Sequence, residues 1–310
     1  MFARVRPLSR GKDFVQAGRD RWEDMEGNHF FCRILISPYN RRITVSEFNL
    51  TGVEGADEMV RVLEGKAASN GLDKIWIKSG EEWGAALLDA GMRAEAKIPG
   101  YYGGLMPALI ASRYLSSSRQ TPSGAPGGTT RLVSGMKNRP GKRVLPAGVR
   151  LEWGRPEQCT ALAWLYESVF KTYPFPVFDP GYLAFTMSHD VYYLSAWYEG
   201  EPVAVAAAEI NWRDQNAEMT DFATLPQWRG HGLAYCLLEQ LEIQLKSEGI
   251  RCLYTIARSS SSGMNQVFAN AGYAYCGVLL NNCNIAGGFE DMNVWSKVVA
   301  KTGSQYNPTD

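Results

Sequence analysis

The stretch Gln227-Trp-Arg-Gly-His-Gly-Leu-Ala234 constrains this chain more than any other. It follows a strand-like run, Ala217 to Thr224. It precedes a helical pattern with Leu233, Leu237, Leu241 and Leu245 four residues apart. Neither Gly230 nor Gly232 carries a Cβ, so the backbone can approach a ligand closely. The helix that follows opens with N–H groups that lack internal partners and with a dipole that favours negative charge. Loop and helix together read as a pyrophosphate cradle. The competing reading is an ordinary glycine turn. Two other phosphate-binding signatures do not fit. No third glycine follows Gly232 at the dinucleotide spacing, and no Gly-Lys-Ser/Thr occurs.

The bulk numbers narrow the function class. A length of 310 residues predicts about two domains, and 45% hydrophobic residues suffice for packed cores. With 32 basic and 32 acidic residues the net charge is zero, which argues against a general nucleic-acid binder. No apolar run reaches membrane-spanning length, and Met1 to Gly11 is basic with no apolar stretch behind it. Neither a membrane anchor nor a signal peptide is expected. The six cysteines are scattered, as free thiols of a reducing cytoplasm would be. The three histidines form no metal-ligand pattern, so no metal is expected.

Residues 116–146 are rich in Ser, Gly, Pro, Arg and Lys and read as a flexible linker. It separates a smaller α/β domain, residues 1–115, from a second at 147–310. The second reads as strand, helix, a proline-rich loop from Tyr173 to Pro180, a short helix, then a hairpin, Val191–Tyr198 with Val203–Asn211. Strand Ala217–Thr224, the long helix, strand Arg251–Ala257, helix Gly263–Asn270 and two further strands follow. This mixed α/β order predicts a twisted sheet with helices on both faces. Around Gly71 and Leu88 the first domain parallels the second around Gly249 and Ala269. An internal duplication or mere helix–Gly–strand likeness explains this equally well. The first domain lacks Gln-x-x-Gly-x-Gly and is assigned no cofactor.

The segment Glu218-Met-Thr-Asp-Phe-Ala-Thr-Leu-Pro-Gln-Trp-Arg-Gly-His-Gly232 resembles the acetyl-CoA site of the GNAT acyltransferases. Gln227, Gly230 and Gly232 fill that family's signature. The resemblance implies a GNAT fold in the C-terminal half, with the first domain a smaller, degenerate GNAT-like half if the duplication holds. It implies acetyl-CoA held by Gln227, Trp228, Arg229, Gly230, His231, Gly232, Leu233 and Ala234. It also implies a strand bulge at Phe222, Ala223, Thr224 and Leu225 whose N–H groups face the acetyl oxygen, as an oxyanion hole does. Glu218 aligns with the strand glutamate that serves as base in several members. Asp221 is the other candidate, nearer the bulge. Three residues apart on a regular strand, the two point to opposite faces. Many members carry a thiolate-protonating tyrosine where this chain has Phe268; Tyr273, Tyr275 or water is left to replace it. Asn265 is expected to contact cofactor or substrate, or to cap its helix.

Longer phrases extend the resemblance. Tyr166-Glu-Ser-Val-Phe-Lys-Thr-Tyr-Pro-Phe-Pro176, Gly263-Met-Asn265, Asn281-Asn-Cys-Asn-Ile-Ala286 and Glu290-Asp-Met-Asn-Val-Trp295 are similar to the β-lysine N6-acetyltransferases, which make the compatible solute N6-acetyl-β-lysine. The implied acceptor carries two ammonium groups and one carboxylate. Glu209, Asp221 or Glu218 would pair with nitrogen, and Arg258 or Lys171 with the carboxylate. Tyr173 and Phe175 would form a lid over a small pocket. A GNAT enzyme of another small amine, polyamine or protein lysine, and a non-catalytic acyl-CoA-binding module, remain open. So does a homodimer built on the first domain.

Overall fold

The computed structural model describes residues 20–123, 136, 144–285 and 287–299. The basic segment 1–11 and most of the linker expected at 116–146 lie outside the described residues. The N-terminal half runs β1 (Arg21–Glu26), β2 (Phe30–Ser37), β3 (Arg42–Leu50), α1 (Glu54–Ser69), β4 (Lys74–Ser79), α2 (Glu81–Asp89), β5 (Arg93–Tyr102) and β6 (Met106–Tyr114). After the one-turn α3 (Ser117–Gln120) come β7 (Arg150–Trp153), α4 (Cys159–Val169), α5 (Pro180–Met187), β8 (Val191–Tyr198), β9 (Glu201–Asn211) and β10 (Asn216–Thr224). The chain ends with α6 (Leu233–Ser247), β11 (Cys252–Arg258), α7 (Ser262–Asn270), β12 (Ala274–Ile285) and β13 (Gly288–Val298).

The succession β1-β2-β3-α1-β4-α2-β5-β6 recurs as β8-β9-β10-α6-β11-α7-β12-β13. In each copy the third strand pairs in parallel with the strand after the helix, β3 with β4 and β10 with β11. The glycines behind the sequence parallels hold equivalent places. Gly71 and Gly249 precede β4 and β11 at φ +66° and +91°, and Gly91 and Gly272 precede β5 and β12 at +86° and +82°.

Sequence reading places the halves in separate domains, yet their strands form one sheet. Its order is β1-β2-β3-β4-β6-β5-β12-β13-β11-β10-β9-β8-β7. The join is β5 against β12, with Gly277 opposite Ala96. A Cβ on Gly277 would lie 2.2 Å from the Glu95 carbonyl oxygen, so only glycine lets the strands meet here. Beside the join Ile98, Tyr101, Ile110, Tyr254, Leu279 and Val294 share a buried cluster. The irregular part of β12 adds polar ties. Lys74 Nζ donates to the Leu280 carbonyl at 2.8 Å, and Glu95 Oε1 accepts from Leu280 N at 2.8 Å. Asn40 Oδ1 accepts from Asn284 N at 3.0 Å. The start of the expected linker is docked too. Arg119 is buried and donates to Asp73 at 3.0 Å and to the Asn40 carbonyl at 2.7 Å. Composition misses this because one buried ion pair anchors a stretch that is otherwise too polar to pack.

Alternation along β4 shows how the faces are used. Ile75 and Ile77 pack with Met59 and Leu63 of α1 and Leu87 of α2. Lys74, Trp76 and Lys78 point to the opposite face. There Lys78 Nζ donates to the Tyr254 hydroxyl of β11 at 3.2 Å. Four strands lie between β4 and β11 in the sheet. In a flat sheet five steps of about 4.8 Å would hold them about 24 Å apart. The sheet therefore bends until this face becomes a hollow to which both halves contribute.

Candidate active site

The pairing of β10 with β9 shifts by one residue between Thr220 and Ala223, which makes a bulge. Asp221 sits in it at φ +54°. Toward β11, β10 pairs at Asn216, Ala217 and Glu218 among the described residues. The edge of β10 facing β11 is thus open from the bulge onward. The bulge lies at the start of the stretch expected at Phe222 to Leu225. Within that stretch the Leu225 N–H is committed, donating to the Val203 carbonyl at 3.0 Å. Ala223 and Leu225 are buried, Phe222 and Thr224 half-buried.

Pro226–Trp228 form a single 3-10 turn. Trp228 packs between Tyr198 and His231, with ring centroids 4.9 and 5.9 Å away. Arg229 Nε reaches the Thr224 carbonyl at 3.3 Å, and Gln227 and His231 are exposed. Gly230 and Gly232 have φ of +83° and +78°, the left-handed region that glycine occupies without strain. Among the described residues, chain neighbours aside, nothing lies within 4 Å of a Cβ built on Gly230, so these residues leave the space beside the loop open. No side chain caps α6, and no acid stands in its first turn. Leu233 is buried in the core and Ala234 half-buried. These features fit a diphosphate: donors without side-chain acceptors, a favourable dipole, and no competing carboxylate.

In the hollow lies a chamber of about 380 Å³. Glu209, Glu218 and Thr220 line it from β9 and β10, and Tyr254 from β11. Arg42, Thr44, Trp76, Lys78 and Tyr101 line it from the N-terminal half. Tyr173 and Phe175 line it from the proline-rich loop. Glu209 and Glu218 are directly opposed across the β9–β10 ladder, a like-charge pairing that needs a cation nearby. Lys78 is that cation. Burial works against its charge, but the Tyr101 hydroxyl and the Glu218 and Glu209 carboxylates outweigh this and push its pKa above the usual lysine value. The rings of Tyr101 and Tyr254 stand 5.1 and 5.2 Å from its nitrogen.

The bulge changes the relation of Glu218 to Asp221. A regular strand would send them to opposite faces. Instead Asp221 Oδ1 accepts from the Tyr173 hydroxyl at 2.7 Å and from Thr220 Oγ1 at 3.1 Å, and both donors line the chamber. Asp221 itself is buried and reaches the chamber through them.

Two expected contacts have other work. Arg258 forms a two-pronged ion pair with Glu290, Nε to Oε2 at 3.0 Å, and is not among the chamber residues. Burial acts to raise the Glu290 pKa, but hydrogen bonds from Arg258 and Ser260 overcome it and hold the carboxyl below its usual range. Asn265 is fully buried. Its Nδ2 donates to the Arg258 and Ser261 carbonyls at 2.9 and 2.8 Å, and its Oδ1 accepts from Asn293 and Trp295, both at 2.8 Å. With these bonds filled it ties α7 to β11 and β13 and has nothing left for a ligand. Phe268 is buried, edge-on to Phe222 at 5.6 Å. Of the tyrosines expected to replace its missing hydroxyl, Tyr273 is buried beside Glu242, while Tyr275 stands edge-on to Trp295 at 5.4 Å.

Residues 157–273 match the model of the Acetyltransferase (GNAT) family. The N-acetyltransferase YodP of Bacillus subtilis is 34% identical over 84% of this chain and 93% of its own length. The β-lysine N6-acetyltransferase of Methanococcus maripaludis is 32% identical over 86% of this chain and 95% of its own. That of Methanosarcina mazei is 37% identical over 55% of this chain and 63% of its own. The chain belongs to the GNAT acetyltransferase family. It is an acetyl-transferring enzyme, and GNAT enzymes take the acetyl group from acetyl-CoA. Among the described residues no group of three or more side chains could hold a metal ion. No helix there is long and apolar enough to cross a membrane.

Sequence reasoning missed Lys78, Trp76, Tyr101 and Arg42. The alternation Lys74-Ile-Trp-Ile-Lys78 announces a strand with one polar face, but one strand cannot say that this face closes onto a second half.

Proposed function

We propose that the enzyme transfers the acetyl group of acetyl-CoA to the terminal amine of β-lysine, giving N6-acetyl-β-lysine. The observation that carries this reading is the chamber. It presents the carboxylates of Glu209 and Glu218, groups suited to an ammonium, and Glu218 lies on the strand that leads into the glycine loop. Two relatives named for this activity support it. The lid of Tyr173 and Phe175 favours a small acceptor over a peptide. The product keeps one ammonium and one carboxylate, so it is net neutral, as a compatible solute should be.

The glycine loop from Gln227 to Ala234 and the first turn of α6 would hold the diphosphate of acetyl-CoA. Bound there, the molecule supplies an acetyl thioester. Glu218 takes the proton that the attacking ammonium must lose, and Lys78 beside it keeps the local charge in balance. Tyr173, fixed by Asp221, holds the acceptor in place, and such placement supplies much of the rate. The backbone of the bulge at Asp221–Phe222 polarises the carbonyl. None of the six cysteines forms a disulfide among the described residues, in keeping with an enzyme of the cytoplasm. We also propose that the N-terminal half is a worn copy of the GNAT half, on the strength of the repeated element order.

The test is kcat/KM for β-lysine, α-lysine, putrescine and a lysine peptide. β-Lysine should lead. Equal efficiency on α- and β-lysine would reduce the reading to a general amine acetyltransferase.

A further inference from the structure

Three cations are buried at or behind the N-terminal end of the chamber, a wall that Asp20 also lines. Arg42, Lys74 and Arg119 are all buried there. Lys74 pairs with Glu95 at 3.0 Å and Arg119 with Asp73 at 3.0 Å. Asp73 also takes exposed Arg41 at 2.6 Å. Both acids are thereby used. Arg42 is 7% exposed, lines the chamber, and has no carboxylate within ion-pair distance among the described residues. Its Nη1 donates to the Asn282 carbonyl at 2.8 Å and, weakly, to Cys283 Sγ at 3.9 Å, and its Nε has no hydrogen-bond partner among the described residues. Its two cationic neighbours act against it, since each feels its charge as repulsion. A buried guanidinium without a counter-charge is strongly unfavourable. The missing partner therefore comes with the ligand.

We infer that Arg42 binds the carboxylate of the acceptor, so that the N-terminal half, which lacks the glycine loop, reads the acid end of the substrate. The inference rests on the proposed reaction and extends it. The chamber differs in charge along its length: Glu209 and Glu218 stand with Lys78 at one end, and Arg42, which has no ion-pair partner among the described residues, stands with Asp20 at the other. Arg42 Cζ and Lys78 Nζ lie 5.4 and 5.9 Å from the Trp76 ring centroid, so one small ligand can span from one charge region to the other. An amino acid with a distal amine fits this polarity: nitrogen toward Glu218, carboxylate toward Arg42. A planar guanidinium suits a carboxylate better than a lysine ammonium does. Arg258, on the far side of its Glu290 pair, is not needed for this.

The experiment compares β-lysine with pentane-1,4-diamine, the same molecule without its carboxyl group. Wild-type enzyme should prefer the acid. In Arg42→Gln the ratio of the two kcat/KM values should fall about 100-fold, mainly through the β-lysine KM. Arg42→Lys should recover part of it. Acetyl-CoA affinity and melting temperature are measured on each variant. If Arg42→Gln does not fold, Arg42→Lys carries the comparison, with an expected fall of about tenfold from the lost fork geometry. A ratio unmoved in a folded variant overturns the inference. Should β-lysine prove a poor acceptor, the proposed reaction fails alone. The same ratio is then taken for α-lysine against cadaverine and ornithine against putrescine. A wild-type enzyme that favours no acid over its diamine overturns the inference as well.

Discussion

The turn after β10 and the turn after β3 occupy the same place in the two halves, and they differ in length and in charge. After β10 two glycines at positive φ lead into α6, which has no acid in its first turn. After β3 one glycine, Gly52 at φ +123°, leads into α1, which opens with Glu54 and Asp57. Glu58 of the next position accepts from the backbone N–H groups of Asn28 and His29, both at 2.9 Å. The cavity there is lined by Glu54, Asp57, Glu58 and Asp89. Carboxylates stabilise a helix N-terminus just as a phosphate does, and they occupy the same field. One copy keeps that field for a ligand and the other neutralises it internally. The comparison teaches that similar strands and helices can carry opposite roles once the charges at one helix end change sign.

The sharpest break of this comparison is an acid placed in the glycine loop. Gly232→Asp adds a side chain at φ +78° and a negative charge where a diphosphate would sit. Acetyl-CoA binding should fall at least 100-fold by calorimetry, and titration of wild-type enzyme should show one site per chain. Gly52→Asn, at the matching turn, should leave acetyl-CoA affinity within twofold. Two sites in the wild type, or unchanged binding in Gly232→Asp, would overturn the assignment of roles to the halves.

Next in size is the base. Glu218→Gln should lower kcat about 10²- to 10⁴-fold, the usual contribution of a positioned base. The loss should be greatest at low pH, where free amine is scarcest, and acetyl-CoA affinity should hold. A near-normal rate would move proton removal to water or to Glu209.

The seam gives a smaller, structural effect. Gly277→Val forces a branched side chain into the 2.2 Å space before the Glu95 carbonyl. Denaturant unfolding should show a loss of about 2 kcal/mol or more. The KM for the amine should rise while the acetyl-CoA affinity stays, because the chamber spans the seam and the glycine loop does not. A rise in both, or in neither, would show that the halves are not joined through this contact in the way the sheet indicates.

Legibility in the sequence divides along the same line. The C-terminal half could be read nearly element by element: the strand expected at Val191–Tyr198 has those bounds, and the long helix buries the expected stripe of Leu233, Leu237, Leu241 and Leu245. The glycine loop declared itself because positive φ leaves few residues to choose from. The phrases around Asn265, Asn281 and Glu290 could be recognised but not interpreted, because their roles lie in tertiary pairing. Asn265 braces α7. Asn281 Nδ2 reaches the Arg119 and Thr121 carbonyls across the seam. Glu290 holds Arg258. The N-terminal strands β1, β2, β3, β5 and β6 were not assigned, and nothing local says that the edge strands of two halves will pair. The bulge made the face of Asp221 unreadable, since one extra residue changes which side chains share a face.

The smallest predicted effect separates Arg258, which the sequence offered for the carboxylate, from Arg42, which it did not. Arg258→Gln should change kcat/KM for β-lysine by less than about threefold, because the guanidinium is engaged by Glu290 and lies outside the chamber. What it removes is a partly buried ion pair that, discounted for solvent screening, contributes about 1 kcal/mol. That contribution has a sign in pH. The folded-state pKa of Glu290 is depressed, so the stabilisation is present above the normal carboxylate range and is lost as the pH falls through the lowered value. Wild type and Arg258→Gln should therefore differ in melting temperature at neutral pH and converge in acid, with steady-state kinetics little changed throughout. A loss on β-lysine approaching that expected of Arg42→Gln would return the carboxylate to the C-terminal half and leave the N-terminal half with the lesser task of closing the hollow.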